Sequence, residues 1–280
     1  MSPDWQRNWP APAKLNLFLH IVGRRADGYH LLQTVFQFID RADQLRFAPR
    51  LDSEIVLATP IPGVPADNDL TVRAARQLQQ ATGTRQGATI WLDKQLPMGG
   101  GLGGGSSDAA TVLLALNHLW QTGLSRQQLE ELALPLGADV PVFVHGRNCF
   151  AEGIGERFTD LDLPAASYLV VHPAVHVPTA LIFGAPDLVR DTLPVNAAQY
   201  TQGSGHNDLE AVACRAFPPL TEALNWLREY VPDARMTGSG ACLFAHFARR
   251  IDAEAALKQR PAGLTAWVAD SLPAHPLIDL

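Results

Sequence analysis

The run Pro97-Met98-Gly99-Gly100-Gly101-Leu102-Gly103-Gly104-Gly105-Ser106-Ser107 decides how the rest of the chain is read. Six glycines in so short a stretch do not suit a packed strand or helix, because glycine loses more backbone freedom on folding than any other residue. What glycine permits is positive φ and close approach of the backbone to another group. Before the run, residues 88–94 (Ala-Thr-Ile-Trp-Leu-Asp-Lys) read as a strand. After it, Ala109, Val112, Leu113, Leu116, Leu119 and Trp120 recur at helical spacing. The run therefore delivers the chain into a helix N-terminus, with Ser106 or Ser107 expected as the N-cap. Free N–H groups and the positive end of the helix dipole attract an anion there, and consecutive glycine N–H groups can form a nest around phosphate oxygens. A cradle for a nucleotide triphosphate is the expectation.

Other glycine motifs fit less well. Gly99, Gly101 and Gly104 match G-x-G-x-x-G, but a dinucleotide fold wants an acidic residue about twenty positions on, ending a second strand. Here residues 123–130 start another helix instead. A Walker A loop needs Gly-Lys-Ser/Thr, and no lysine follows Gly105. The His-Arg-Asp and Asp-Phe-Gly signatures of protein kinases are absent. A flexible linker would not sit tightly between a strand and an amphipathic helix.

At 280 residues the chain suits one large domain or two smaller ones. With 47% hydrophobic and 18% charged residues it can bury a real core. A net charge of −6 argues against broad nucleic-acid or membrane-surface binding. The opening residues show no basic region followed by an apolar run, so no signal peptide is expected, and no stretch reaches transmembrane length. Cys149, Cys214 and Cys242 are too scattered for a disulfide framework or a metal site. A cytoplasmic protein is the expectation, as a monomer or weak homodimer.

Residues 14–22 alternate as a strand, 23–28 form a turn, and 31–39 read as its returning strand. Residues 44–48 and 54–58 are two more strand-like runs. Residues 68–81 read as a helix with Asp67 or Asn68 near its cap. Ser125-Arg126-Gln127-Gln128 is a capping box opening a further helix, which Gly137 ends. The apolar run 140–144 after Asp139 reads as a strand, and 148–152 with 156–159 as a hairpin. From about residue 165 the pattern restarts with a strand at 168–172. A helical region at 208–230 follows, broken at Pro218-Pro219. Strands at 234–236 and 242–247 flank the small-residue loop Thr237-Gly238-Ser239-Gly240-Ala241. A helix at 252–259 and a strand at 265–269 complete the order βαββαβ, a ferredoxin-like split unit. The expected fold is α+β in two domains, 1–160 with the glycine run and 161–280 ferredoxin-like, with a ligand cleft between them.

Phosphoryl transfer needs positioning, electrostatic stabilisation and a group to take the acceptor's proton. Asp139, between a helix end and an apolar run, is a candidate base. Lys14 leads an apolar strand and is either a cation for phosphate or an edge lysine. Tyr29 and His30 follow a glycine turn and can stack on a base or pack at a strand start. His172 and His176 read as loop histidines, since Pro173 breaks any helix that could align them and no zinc motif surrounds them. Asp108 suits a first helical turn, yet it would repel phosphate unless it faces away or a cation intervenes.

Taken together, these motifs resemble the galactokinase, homoserine kinase, mevalonate kinase and phosphomevalonate kinase superfamily. The glycine run is similar to its ATP-binding signature. Ala13-Lys14-Leu15-Asn16-Leu17, the stretch Leu136-Gly137-Ala138-Asp139-Val140-Pro141, and Thr237 to Cys242 resemble its other motifs, in the family's order over about residues 12–247. Asp27-Gly28-Tyr29-His30-Leu31-Leu32-Gln33-Thr34 is similar to the cytidine-binding stretch of one member, which acts in the non-mevalonate isoprenoid route. The resemblance implies a two-domain small-molecule kinase fold, with a ribosomal-S5-domain-2-like N-terminal half and a ferredoxin-like C-terminal half. It implies ATP and Mg²⁺ as cofactors, and a small-molecule substrate carrying a cytidine diphosphate group. Asp139 would take the proton of that substrate's C2 hydroxyl, and Lys14 would neutralise the transferring phosphoryl group and hold Asp139. Residues 97–107 with Lys94 would hold ATP. Asn16 and Thr179 would contact the substrate, and Tyr29, His30 and Phe183 would cradle the cytosine. No protein ligand is assigned to the metal.

Overall fold

A computed structural model describes residues 5–201 and 203–280. Residues 1–4, part of the opening read above as lacking a signal peptide, lie outside the described residues, as does residue 202.

Two long antiparallel strands carry the N-terminal half, β1 (Trp9–Arg24) and β2 (His30–Arg50). The two strands expected at 31–39 and 44–48 are one. Polar Asp40 and Arg41 resemble a turn in sequence. In the structure they form a bulge, since Ala13 pairs with Ile39 while Pro12 already pairs with Ala42. The extra residues face solvent and the strand continues. After β3 (Ile55–Leu57) comes α1 (Leu70–Thr82), capped by Asp69 rather than Asp67 or Asn68, which a 3₁₀ turn takes up. Asp69 accepts the Thr71 N–H at 2.8 Å. β4 (Gly87–Asp93) then leads through the glycine run to α2 (Gly104–Leu119).

Helix α2 is buried at every residue from 107 to 116, held between the sheet and its helical neighbours. α3 (Arg126–Ala133) opens with the expected capping box. The run expected as a strand after Asp139 is instead a helix, α4 (Val140–His145). Five apolar residues fit a buried strand or a buried helix equally well. Pro141 lacks an N–H and suits a first helical turn, and Gly146 closes the helix in the left-handed region. β5 (Cys149–Glu152) and β6 (Arg157–Asp160) form the expected hairpin. The first sheet runs β3-β4-β2-β5-β6, with β1 also paired to β2.

The second half comprises β7 (Ser167–His172), α5 (Thr179–Phe183), α6 (Glu210–Ala216), α7 (Pro218–Arg228), β8 (Arg235–Met236), β9 (Leu243–Phe247), α8 (Arg250–Lys258) and β10 (Thr265–Asp270). Its sheet order β10-β7-β9-β8 is that of a split βαβ unit.

Period-2 alternation explains how the halves join. On β7, Leu169 and Val171 face the C-terminal helices, while Tyr168 and Val170 face the other sheet. On β2, Phe36 and Phe38 face the N-terminal helices, while Val35 and Ile39 face the other sheet. The two sheets pack back to back between two layers of helices, so the halves share an apolar interior. The chain then crosses back. Residues 271–280 leave the second sheet and seal the first half, with Leu272 N–H on the Phe38 carbonyl (2.8 Å), His275 N–H on the Gly146 carbonyl (2.8 Å) and Leu277 in the N-terminal core.

Candidate active site

Two cavities meet where the halves join. The larger, about 680 Å³, is lined by Lys14, Asn16, Tyr29, His30, Asp139, Thr179 and Phe183, among others. The smaller, about 380 Å³, is lined by residues 97–106 of the glycine run with Lys94 and Asp108. Ser106, Asp139, Thr179 and Ser239 line both and so mark the junction. Of the residues expected at the site, Ser107 alone lines neither. It is fully buried, and its hydroxyl has no partner among the described residues.

The glycine run is fixed by its carbonyls. Gly99 and Gly100 accept the N–H groups of Ala241 (3.2 Å) and Cys242 (3.0 Å) from the second small-residue loop. Gly101 accepts from Lys14 Nζ (2.9 Å) and Leu102 from the Lys14 N–H (3.0 Å). With the carbonyls committed to protein, the N–H groups are left for a ligand. Among the described residues none of those from 99 to 106 has a protein acceptor. The helix begins earlier than expected. Gly103, in the left-handed region, is the N-cap, and Ser106 and Ser107 lie inside the first turn. No hydroxyl caps α2, so the N–H groups at its end are free to attract an anion.

The need for glycine has two sources. A Cβ on Gly101 would lie 2.2 Å from the Thr237 carbonyl oxygen, and one on Gly103 would lie 2.7 Å from the Phe143 ring. At these positions the close approach is to protein. At Gly105 a Cβ would meet nothing nearer than 3.7 Å, so that face of the loop is open to a ligand.

Lys14 is 2% exposed. Its ammonium bonds Asn16 Oδ1 (2.5 Å) and the Gly101 carbonyl, lies 3.2 Å from Asp139 Oδ2, and sits over the Phe36 ring at 5.5 Å. Asp139 holds the N-cap position of α4 but caps no N–H, so its carboxylate is free to turn to Lys14. Asn16 also donates to Thr34 Oγ1 (2.9 Å), which leaves one amide hydrogen for the cavity.

Lys94 resolves the difficulty over Asp108. Its ammonium sits between Asp108 (2.8 Å) and Asp43, so a cation does intervene. Burial, and then the neighbouring Asp43, push Asp108 above the usual carboxylate range against the pull of Lys94. Burial works against the Lys94 charge, but Asp108 and Asp43 outweigh it and hold the ammonium more firmly protonated. Asp43 also accepts the N–H groups of Gln95 (2.5 Å) and Leu96 (2.8 Å), which sets the chain's course into the glycine run.

In the larger cavity His30 and Phe183 lie 5.1 Å apart at 41°, and Tyr29 projects with 60% of its surface exposed. Thr179 Oγ1 lies 2.8 Å from Ser239 Oγ. Ser239 carries no signal of its own in the sequence, although the loop that holds it is visible as a motif, and no local pattern marks Arg190, Asp43 or Phe36. His172 ends β7, and His176, read as an ordinary loop histidine, lies against Gly99.

Residues 69–147 match the GHMP kinases N terminal domain and residues 185–264 the GHMP kinases C terminal domain. The chain belongs to the GHMP kinase family. Like other GHMP kinases it uses ATP, and its two-domain α+β fold is the family's. It is 75% identical over 96% of its length to a 4-diphosphocytidyl-2-C-methyl-D-erythritol kinase from Dechloromonas aromatica (strain RCB), covering 98% of that protein. Among solved GHMP kinases, a 4-(cytidine 5'-diphospho)-2C-methyl-D-erythritol kinase superposes with a TM-score of 0.81 at 37% identity, over 95% of this chain and 99% of that one. A homoserine kinase from Cytophaga hutchinsonii superposes at 0.74 with 15% identity, over 96% of this chain and 94% of that one, which speaks to the fold alone. Among the described residues no helix is long and apolar enough to cross a membrane.

Proposed function

We propose that this GHMP kinase transfers the γ-phosphoryl group of ATP to the C2 hydroxyl of 4-diphosphocytidyl-2-C-methyl-D-erythritol, in non-mevalonate isoprenoid precursor synthesis. The observation that carries the reading is the Lys14–Asp139 pair. Asp139 stands where a cavity lined by the glycine run meets a cavity lined by Tyr29, His30 and Phe183. In this reading the free N–H groups of 99–106 and the α2 N-terminus hold the ATP phosphates beside Lys94. Lys14 neutralises charge at the transferring phosphoryl group, and Asp139 takes the acceptor's proton. Thr179, with Ser239, holds the substrate's own phosphates, and Asn16 supplies its remaining amide hydrogen. The three aromatic residues take the cytosine.

Among the described residues no group of three or more His, Cys, Asp or Glu could hold a metal ion. Mg²⁺ held chiefly by phosphates and water needs no such cage. The Ser106 hydroxyl, at the junction of the two cavities, is a hard oxygen donor that fits it. When bound it would supply positive charge against the phosphate groups.

The net charge of −6 supports a partner list without nucleic acid or membrane, and a cytoplasmic monomer or weak homodimer is proposed beside it. The test is ADP release measured with the cytidyl substrate beside homoserine and mevalonate. Turnover with the cytidyl substrate alone is expected, and turnover with mevalonate or homoserine instead would overturn the assignment.

A further inference from the structure

Arg190 is tied to both halves of the aromatic wall. Its Nη1 donates to the Leu188 carbonyl (2.9 Å), and its Nη2 donates to the carbonyls of Phe183 (3.2 Å) and Ala185 (2.7 Å). Its Nε donates to His30 Nε2 at 3.0 Å. Arginine has no acceptor and keeps its protons in proteins, so the ring nitrogen facing it has to accept. His30 is then neutral with its hydrogen on Nδ1. Among the described residues nothing else bonds Nδ1, and His30 lines the larger cavity. One guanidinium thus sets the backbone that carries Phe183 and both the orientation and the tautomer of His30.

We infer that Arg190 is a positioning residue which, by holding His30 as the Nδ1–H tautomer, makes this cavity select cytosine over uracil; the inference rests on the cytidyl reading above. N3 of cytosine is an acceptor, whereas N3 of uracil carries a hydrogen. A fixed Nδ1–H donor at that position pairs with cytosine and opposes uracil. An imidazole free to exchange tautomers would accept from uracil instead. Burial, then Arg190 and Arg24, lower the His30 pKa, in keeping with a neutral ring.

Two measurements on the full-length enzyme test this. ¹⁵N-histidine NMR of the wild type, with the His30 signals assigned by their loss in His30→Gln, is expected to show a protonated Nδ1 and an unprotonated Nε2. CDP and UDP are then compared as competitors of the cytidyl substrate. The wild type is expected to prefer CDP by about tenfold or more, the scale set by leaving a donor opposed rather than paired. Arg190→Met should narrow that preference several-fold. Arg190→Lys, which keeps the charge but cannot fork over His30 and the carbonyls together, should narrow it as well. A protonated Nε2 in the wild type, or an unchanged preference in both variants, overturns the role of Arg190 while leaving the cytidyl reading standing. The expected tautomer with no competition by either nucleotide overturns the cytidyl reading, and the selectivity with it.

Discussion

Lys14 Nζ lies 3.2 Å from Asp139 Oδ2, and the two partners are unequally buried, the lysine 2% exposed and the carboxylate 39%. Asn16 and the Gly101 carbonyl anchor the lysine from the protein side, while the carboxylate reaches the junction of the two cavities. Asp139→Asn keeps the shape and loses the proton acceptor. Its kcat should fall by about 10²–10⁴-fold with both KM values little changed. The double variant Lys14→Ala/Asp139→Asn should be scarcely worse than the poorer single variant if the pair acts as a unit. Steady-state kinetics decides it, and an Asp139→Asn enzyme with most of its kcat removes the carboxylate from proton transfer.

Two glycines of the same run should fail in different ways. Gly101→Ala drives a Cβ onto the Thr237 carbonyl at a residue with φ +71°, so it should weaken folding even without nucleotide. Gly105→Val places its Cβ in ordinary contact with Leu70 (3.7 Å) inside a helical turn and should leave stability within about 1 kcal/mol while weakening ATP binding. Thermal unfolding and nucleotide titration of both variants separate the cases. A Gly105→Val protein that binds ATP normally would show that the nucleotide does not approach this face.

Lys94→Met leaves Asp43 and Asp108, 0% and 2% exposed, without their shared cation. Breaking a buried ion pair from one side costs about 3–5 kcal/mol, and a loss on that scale is expected in denaturant unfolding without ATP. Lys94→Met/Asp43→Asn should recover part of it, because Asp108, its carboxyl already pushed up to about 8 by burial, takes up a proton and Asp43 is left as the stranded charge. A single variant as stable as the wild type would mean that water reaches both carboxylates.

His275 is 1% exposed, edge-on to Phe38, with Arg126 nearby. Burial, then Arg126, lower its pKa from 6.5 to about 3. The unfolded chain therefore takes up a proton below about pH 6.5 that the folded chain refuses until about pH 3. Stability is lost as pH falls through this window, at up to about 1.4 kcal/mol per pH unit from this residue. His275→Gln should flatten the stability–pH curve between pH 6 and 4 by about that slope. An unaltered slope would show that residues 271–280 detach before the imidazole is protonated.

What was legible in the sequence was local. The capping box at Ser125, the hairpin at 148–159 and the βαββαβ order each follow from residues a few places apart, and each is found in the structure. The misreadings share a cause. Asp40-Arg41 and the run 140–144 have a composition that suits two structures, and tertiary burial chooses between them. The missed residues act across distance. Asp43 meets Lys94 from 51 positions away, and Arg190 meets His30 from 160. Neither neighbourhood carries a periodic or motif signal that could announce the partner. The glycine run reads in sequence as a phosphate cradle, but part of its glycine content answers to Thr237 and Phe143, which only the fold brings near.

Leu277 belongs to the core of the N-terminal half. The Arg126 side chain, in α3 of that half, is held to the carbonyls of Leu277 (3.2 Å) and Ile278 (2.8 Å). During synthesis on the ribosome, the N-terminal half therefore cannot close its interior when its own strands and helices have emerged. It waits for well over a hundred further residues, on the order of ten seconds at about 5–20 residues per second. For that interval the part of its apolar core that Leu277 covers stays exposed. The order of translation here runs opposite to the order in which the first half could be finished.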